Sequence, residues 1–457
     1  MAPRHKATRC ARRPLVILLA LALVPLLLYI VCIGLPDPQP RAAESIDAMH
    51  GYSTGAACHR TPPRLPPESR PAACVSLHDE YVGLWASVVL ISHSEFAPSL
   101  PVRAQTGASL THTYFLLVLY FADEAGCAMR RTMQAVRGPR TPRAALAEVI
   151  LFDDSSTPLA EAAVAAAGGI DGGDEQPPIR WLRSETRLGV VRARMAAARA
   201  ARADVLVFLD SHCEPQAGWL PPLLALIRAE PRAVALPVIE SIDGRTWQYR
   251  PGPSPEHPPR GVLTDWNLTF GWRALDAATR AARAAHRDGP LAPLASPMMA
   301  GGVFAIGTSW FFTSGGYDEG MEVWGVENVE MALRMWTCGG AMFILPCSRV
   351  GHVFRARQPF SFPNATGALT VRRNAWRVAS VWMDEVADAV GLGVDARVLR
   401  AMHGAPGLEE RRALRRALHC HSFRWYLENV FPDHPPLPSA FRWASATDVD
   451  QARVSEA

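Results

Sequence analysis

Asp210 and His212 stand two residues apart, directly after the apolar run Val205-Leu206-Val207-Phe208-Leu209. Such a run predicts a strand that opens into a turn, so a carboxylate and an imidazole emerge together and can point at one ion. The same pair also fits a hydrogen-bonded turn. Mixed oxygen and nitrogen ligation suits a borderline divalent cation such as Mn2+, and a cation with open positions can take diphosphate oxygens. A third ligand is then required. A second acidic strand end, Asp153-Asp154-Ser155-Ser156 after Leu151-Phe152, can accept from a uracil N–H or a ribose hydroxyl, or can cap a helix. Arg187-Leu188-Gly189-Val190-Val191-Arg192-Ala193-Arg194 brings a glycine turn into an arginine-rich helix, which fits either a nucleotide contact or a solvated helix face.

These residues need a scaffold, and the pattern around them supplies one. Short apolar runs ending in acidic or polar residues (Ser87 to Ser92, Val149 to Phe152, Val205 to Leu209, Ala233 to Ile239) alternate with Ala- and Arg-rich helical stretches. That alternation predicts an α/β domain with a largely parallel sheet, in which ligands bind beyond the carboxyl ends of the strands. Both acidic sites fall there. Pro101 to Met129 does not fit: its eight-residue apolar block from Tyr114 to Phe121 is too short to span a bilayer as a helix and reads equally as a buried strand or an inserted surface segment.

The 457 residues are 49% hydrophobic and 20% charged, which predicts a folded chain with a sizeable core. The formal charge of +4 includes five cations at Arg4, Lys6, Arg9, Arg12 and Arg13, without which the remainder carries −1. No nucleic-acid partner is expected from such a balance. From Leu15 to Leu35 no charge interrupts the chain, long enough for a membrane-spanning helix. With the basic cluster before it, residues 1–14 are expected to be a cytoplasmic tail, 15–35 a signal anchor and everything beyond lumenal. Residues 36–73 are proline-rich and read as an extended stem. Seven of the nine cysteines lie beyond the anchor, where disulfides persist, and seven is odd. Two glycosylation sequons occur, Asn267-Leu268-Thr269 and Asn364-Ala365-Thr366; the first sits among Trp266, Phe270 and Trp272, and burial is expected there.

The C-terminal half carries Met321-Glu322-Val323-Trp324-Gly325-Val326-Glu327-Asn328-Val329-Glu330, then Trp336-Thr337-Cys338-Gly339-Gly340, then Pro346-Cys347-Ser348-Arg349-Val350-Gly351-His352-Val353-Phe354-Arg355. Ahead of these stand Asp210-Ser211-His212-Cys213-Glu214, Asp265-Trp266-Asn267-Leu268 and Ala300-Gly301-Gly302-Val303-Phe304, and after them Cys420-His421-Ser422-Phe423-Arg424-Trp425-Tyr426-Leu427. In order and spacing they closely resemble the catalytic domain of the polypeptide N-acetylgalactosaminyltransferases, from about Cys74 to Phe431.

The resemblance implies a GT-A glycosyltransferase fold, Rossmann-like, with a mostly parallel sheet flanked by helices. It places the catalytic domain at 74–435, with 101–129 an insertion and 436–457 a tail. It further implies a single-pass type II Golgi enzyme that moves GalNAc from UDP-GalNAc to Ser or Thr hydroxyls of polypeptides, with retention at the anomeric carbon and dependence on Mn2+. By the same matching, Asp210, His212 and His352 hold the metal, Asp154 and Arg187 hold the uridine, and Gly301 and Gly302 let backbone approach the sugar. Trp324, Glu327 and Asn328 line the sugar and diphosphate pocket, Glu327 in a positioning role, and Arg355 joins the metal in neutralising the departing diphosphate. The disulfides implied are Cys74–Cys347 and Cys338–Cys420.

Four departures accompany the match. Val326 stands where the family has the second glycine of W-G-G-E-N, Gln358 and Phe360 stand where it often has His and Tyr, Ser94 replaces Asn, and Pro101 to Met129 interrupts the pattern. Recognition of glycosylated peptides through ricin-like lectin repeats, usual in that family, is not expected of this sequence. Two other readings keep most of these motifs: a catalytically silent homologue that binds nucleotide or partner proteins, and a transferase using another UDP-sugar.

Overall fold

Consecutive residues of Val205–Asp210 pack into different layers, and that alternation organises the domain. Leu206 and Phe208 belong to one buried cluster, while Val205, Val207 and Leu209 belong to another. A strand covered on both faces reads as an unbroken apolar run, because successive side chains point to opposite sides of the sheet. The computed structural model describes residues 115–437, apart from 122–125, 143–144, 158, 167–168, 170–176, 245, 253, 255, 287–288, 355–361, 363–365 and 385–404.

In the N-terminal half of the sheet, β1 (Phe115–Phe121) lies between β2 (Glu148–Asp154) and β4 (Val205–Asp210), parallel to both, and β3 (Ile179–Ser184) continues beyond β2. On the other side of β4 comes β11 (Val303–Gly307), antiparallel, then β6 (Ala233–Ile242) and β12 (Ala341–Val353), the last two parallel to each other. β10 (Leu294–Ala295) and β5 (Cys213–Pro215) pair antiparallel with β12, and β7 (Tyr249–Arg250) with β6. A separate antiparallel pair is made by β8 (Arg260–Leu263) and β9 (Phe270–Arg273).

The result is a Rossmann-like mixed α/β domain of GT-A type. The expected mostly parallel sheet holds for β3-β2-β1-β4 and for the β6-β12 pair: β11 leaves the Gly301–Gly302 turn running against both β4 and β6, so the sheet as a whole mixes directions. One layer of helices, α1 (Gly126–Arg137), α2 (Ala160–Ala166) and α4 (Leu220–Ala229), packs through Met129, Met133, Val164 and Leu223 on one face. On the other, α3 (Val190–Ala200), α6 (Thr308–Thr313), α7 (Glu327–Thr337), α8 (Gly367–Trp382) and α10 (Phe423–Asn429) contribute to the larger cluster. α5 (Ala277–Ala285) is capped by Asp276, and α9 (Leu408–Ala417) precedes the segment bridged to α7 by the Cys338–Cys420 disulfide. Cys347 is also disulfide-bonded; Cys74, its expected partner, lies outside the described residues.

The apolar block within Pro101 to Met129 is a strand. Phe115–Phe121 is flanked by sheet on both edges and Gly126–Met129 opens α1, so a surface insertion does not fit those residues. The anchor at 15–35, the stem, the expected strand at Ser87 to Ser92 and the sequon at Asn364 lie outside the described residues. Among the described residues no helix is long and apolar enough to cross a membrane.

A second correction concerns Asn267. It is exposed, as is Thr269, while Leu268 between them turns inward with φ +64°. The aromatic neighbours face elsewhere: Trp266 donates to the Pro436 carbonyl at 2.7 Å and packs edge-on against Phe423.

Charged side chains also enter the core between α7, α9 and the segment before α7. Glu330 accepts from Arg334 at 3.0 Å and from Arg411 at 2.6 Å, while Arg377 reaches Asp318 at 2.6 Å. Burial would raise the Glu330 carboxyl, but the charges of Arg334 and Arg411 outweigh it and bring it from the ordinary 4.5 to about 2.

Candidate metal and nucleotide site

The turn after β4 is held by four backbone hydrogen bonds. Asp210 N–H donates to the Gly302 carbonyl at 3.0 Å, and the Thr132 hydroxyl of α1 donates to the Ser211 carbonyl at 2.8 Å while accepting from Cys213 N–H at 3.0 Å. The His212 carbonyl accepts from Val353 N–H at 3.1 Å. Because β5 pairs with β12 in the register Cys213 to His352, this ladder brings His352, 142 residues from Asp210, to the same turn. Sheet register therefore brings a candidate third ligand to the Asp210–His212 turn.

Asp210, His212 and His352 each offer a donor atom, and these atoms lie within 4.8 Å of one another. His352 Nε2 is 3.3 Å from Asp210 Oδ2, and the His212 and His352 rings meet edge to face at 4.6 Å. Burial would lift the Asp210 carboxyl, but the His352 hydrogen bond and the Arg194, His212 and His352 charges hold it below the usual carboxylate range. An ionised carboxylate with two imidazoles fits a divalent cation such as Mn2+, which at about 2 Å from each donor can bridge such a spread. One further detail fits. A Cβ at Gly302 would stand 2.6 Å from Asp210 Oδ2, so the cradle exists because that residue has none.

Gly302→Ala is therefore expected to weaken Mn2+ binding about tenfold while leaving the thermal transition nearly unchanged, since Gly302 has an ordinary backbone and the collision falls on Asp210, a candidate metal ligand. Calorimetric titration with Mn2+ alongside a melting curve checks this, and equal affinity would refute it.

At the end of the site expected to take the nucleotide, the acidic pair divides its work. Asp153 accepts from Ser156 N–H at 2.9 Å and Ala160 N–H at 3.2 Å, which is the helix-capping role. Asp154, fully buried, accepts from Leu188 N–H at 2.7 Å and Gly189 N–H at 3.0 Å, fixing the turn that starts α3. Arg187, half-buried in that turn, lies beside Ser155, whose carbonyl is 3.5 Å from its guanidinium. The first N–H of α3, on Val190, donates to the Val323 carbonyl at 2.7 Å, which joins this turn to the segment carrying Trp324.

That segment is gripped from α8 by Asn374, which donates to the Glu322 and Gly325 carbonyls at 2.9 and 3.1 Å and accepts from Glu322 N–H at 2.9 Å. Trp324 is 38% exposed and so open to a ligand. Glu327 is buried and accepts from Gly325 N–H at 2.8 Å; burial raises its carboxyl above the ordinary value against the opposing charge of Arg194. Asn328 donates to the Met299 carbonyl at 2.8 Å, and a Cβ at Gly301, where φ is +82°, would stand 2.8 Å from the Asn328 Cβ. Val326 caps α7 with φ +67°, in the left-handed region that the family's glycine adopts freely. A β-branched residue there costs about 1–2 kcal/mol, offset by burial of its side chain against the core. Arg355, Gln358 and Phe360 lie outside the described residues.

Three contributors escaped the residue pattern. Thr132 and Asn374 act through backbone contacts across long sequence separations, which spacing does not reveal. Arg194 was visible as part of an arginine-rich helix, but which of its arginines turns inward depends on the packing of α3. It is buried and donates to Asp210 Oδ1 at 2.7 Å.

Residues 128–284 match Glycosyl transferase family 2, and residues 285–358 match the family described as N-terminal domain of galactosyltransferase. Over 337 residues the chain is 41% identical to the probable N-acetylgalactosaminyltransferase 6 of Caenorhabditis elegans, covering 73% of this chain and 52% of that protein. It is also 41% identical to polypeptide N-acetylgalactosaminyltransferase 11 of Xenopus tropicalis, covering 69% and 50% respectively. The chain thus spans about half the length of these relatives. Among solved structures, the crystal structure of GalNAc-T7 with UDP, GalNAc and Mn2+ aligns with a TM-score of 0.59 at 26% identity, covering 88% of this chain and 73% of the other.

Proposed function

From the premise that this chain carries a GT-A catalytic domain resembling the polypeptide N-acetylgalactosaminyltransferase family, we propose that it is a retaining transferase moving GalNAc from UDP-GalNAc to Ser or Thr hydroxyls of polypeptides. The observation that carries the proposal is the convergence of Asp210, His212 and His352 beside the Gly301–Gly302 turn.

In this reading Asp210, His212 and His352 hold Mn2+, which when bound supplies Lewis acidity to the donor's diphosphate. Arg187 holds the uridine end, and Asp154, expected to share that role, is fully buried and serves it through the α3 turn that its two carboxylate oxygens keep in place. Gly301 and Gly302 admit the sugar to the backbone. Trp324 and Asn328 line its pocket, and Glu327, committed to Gly325 N–H, positions the loop and is not a nucleophile. Arg355, by its place in the matched motif, adds positive charge against the leaving diphosphate. The acceptor oxygen bonds to the anomeric carbon on the face from which the diphosphate oxygen departs, and that oxygen takes the hydroxyl proton.

The test is incubation of the purified full chain with UDP-GalNAc, Mn2+ and a Ser/Thr peptide, read as gain of one N-acetylhexosamine by the peptide. Consumption of a different UDP-sugar would reassign the donor. A second reading, nucleotide binding without transfer, is favoured by the strained Val326; UDP binding with no product, and product restored by Val326→Gly, would select it.

The chain is further proposed to sit in the Golgi membrane through residues 15–35 with its catalytic domain lumenal. The Cys338–Cys420 disulfide and the exposed Asn267 support that placement. Asn267 is expected to carry a glycan when the chain is made in eukaryotic cells, seen as a glycosidase-sensitive shift in mobility that Thr269→Ala reduces. An unmodified Asn267 in lumenally processed protein would contradict this.

A further inference from the structure

We propose that Arg194 is the positioning residue that presents Asp210 to the metal and locks the Gly301–Gly302 turn against it, so that one helix sets both ends of the donor site. The inference rests on the metal reading above. Arg194 leaves α3 about 6 Å along the axis from Val190, the first residue of the helix, whose preceding turn is pinned by Asp154. Its guanidinium donates to Asp210 Oδ1 at 2.7 Å, to the Gly301 carbonyl at 2.7 Å and to the Tyr317 hydroxyl at 3.1 Å. Only Asp210 Oδ2 then faces His352, so the carboxylate is offered to a cation through one oxygen.

The arrangement is costly to keep for stability alone. The Arg194 side chain is 2% exposed, and its Nε is buried with no hydrogen-bond partner. Buried guanidinium groups that leave a donor unmatched add little to folding, whereas one that fixes a ligand's rotamer fixes the geometry of the whole site. The contacts are also chosen from different elements: β4 supplies Asp210, the approach to β11 supplies Gly301, and the segment before α7 supplies Tyr317. A lysine preserves the charge but is a point donor without the planar fork, and cannot serve all three acceptors in this geometry.

The experiment is Mn2+ titration of the detergent-solubilised full chain, followed by calorimetry and by loss of the free-ion paramagnetic signal, with thermal melting of each sample. Arg194→Lys should fold with a transition close to wild type yet bind Mn2+ about 10–100-fold more weakly. Arg194→Met should fall at least as far. Tyr317→Phe, which leaves the Asp210 and Gly301 bonds, should stay within about threefold of wild type. Wild-type affinity in Arg194→Lys, or a Tyr317→Phe loss equal to it, would overturn the proposal. If Arg194→Met does not fold, Arg194→Lys and Tyr317→Phe decide. A wild-type chain that binds no Mn2+ would overturn the metal reading itself and this inference with it.

Discussion

Replacing His352 with alanine should lower metal-dependent sugar transfer by about 10^3-fold or more while the domain stays folded. His352 is half-buried near the end of β12, and its side chain touches the His212 and Phe354 rings. The substitution removes little packing. It also leaves no stranded charge, because Asp210 keeps its ion pair with Arg194 at 2.7 Å. What it removes is one of three donors, and the charge that develops on a departing diphosphate would lose much of its stabilisation. Initial rates at saturating Mn2+, with circular dichroism melts of the same samples, check both halves. A variant retaining more than about a tenth of the wild-type rate would mean that His352 is not a ligand.

The second large effect is on stability. Glu330→Gln is expected to destabilise the domain by about 3–5 kcal/mol, because Arg334 and Arg411 would remain buried facing a neutral amide. The pH dependence has a definite sign. The Glu330 carboxyl lies at about 2 in the folded chain against an ordinary 4.5, so the folded state binds fewer protons than the unfolded one between those values. Its contribution is complete above about pH 4.5 and is lost as the pH falls toward 2. Urea midpoints of wild type and Glu330→Gln at pH 7, 4.5 and 3 should therefore converge toward acid. Parallel curves, or a loss below about 1 kcal/mol at pH 7, would contradict the assignment.

Much of the site was legible in the chain and some of it was not, for identifiable reasons. Asp210 and His212 are read directly, because two residues after an apolar strand share one turn. His352 needed the resemblance of its motif to a family, since its approach depends on the β5–β12 register and on nothing local to either segment. Asp153 and Asp154 look alike in sequence, but the fold gives Asp153 the Ser156 and Ala160 N–H groups and the Arg183 guanidinium, and Asp154 the Leu188 and Gly189 N–H groups. The strand at Phe115–Phe121 was masked by its setting, an apolar block in a stretch that breaks the family pattern. Asn267 misled because a left-handed, buried Leu268 turns the asparagine out, whatever aromatic residues stand beside it in sequence. The mixed direction of the sheet followed from β11, whose apolar run carries no mark of orientation.

The central claim is that Asp210, His212 and His352 share one divalent cation that receives a nucleotide diphosphate. Diffraction at a wavelength where manganese scatters anomalously, from crystals grown with Mn2+ and UDP, tests it most directly. The account predicts a single strong anomalous peak within about 2.3 Å of a donor atom on each of the three side chains, in contact with diphosphate oxygens. A peak elsewhere, or UDP bound with no metal between those residues, would contradict it.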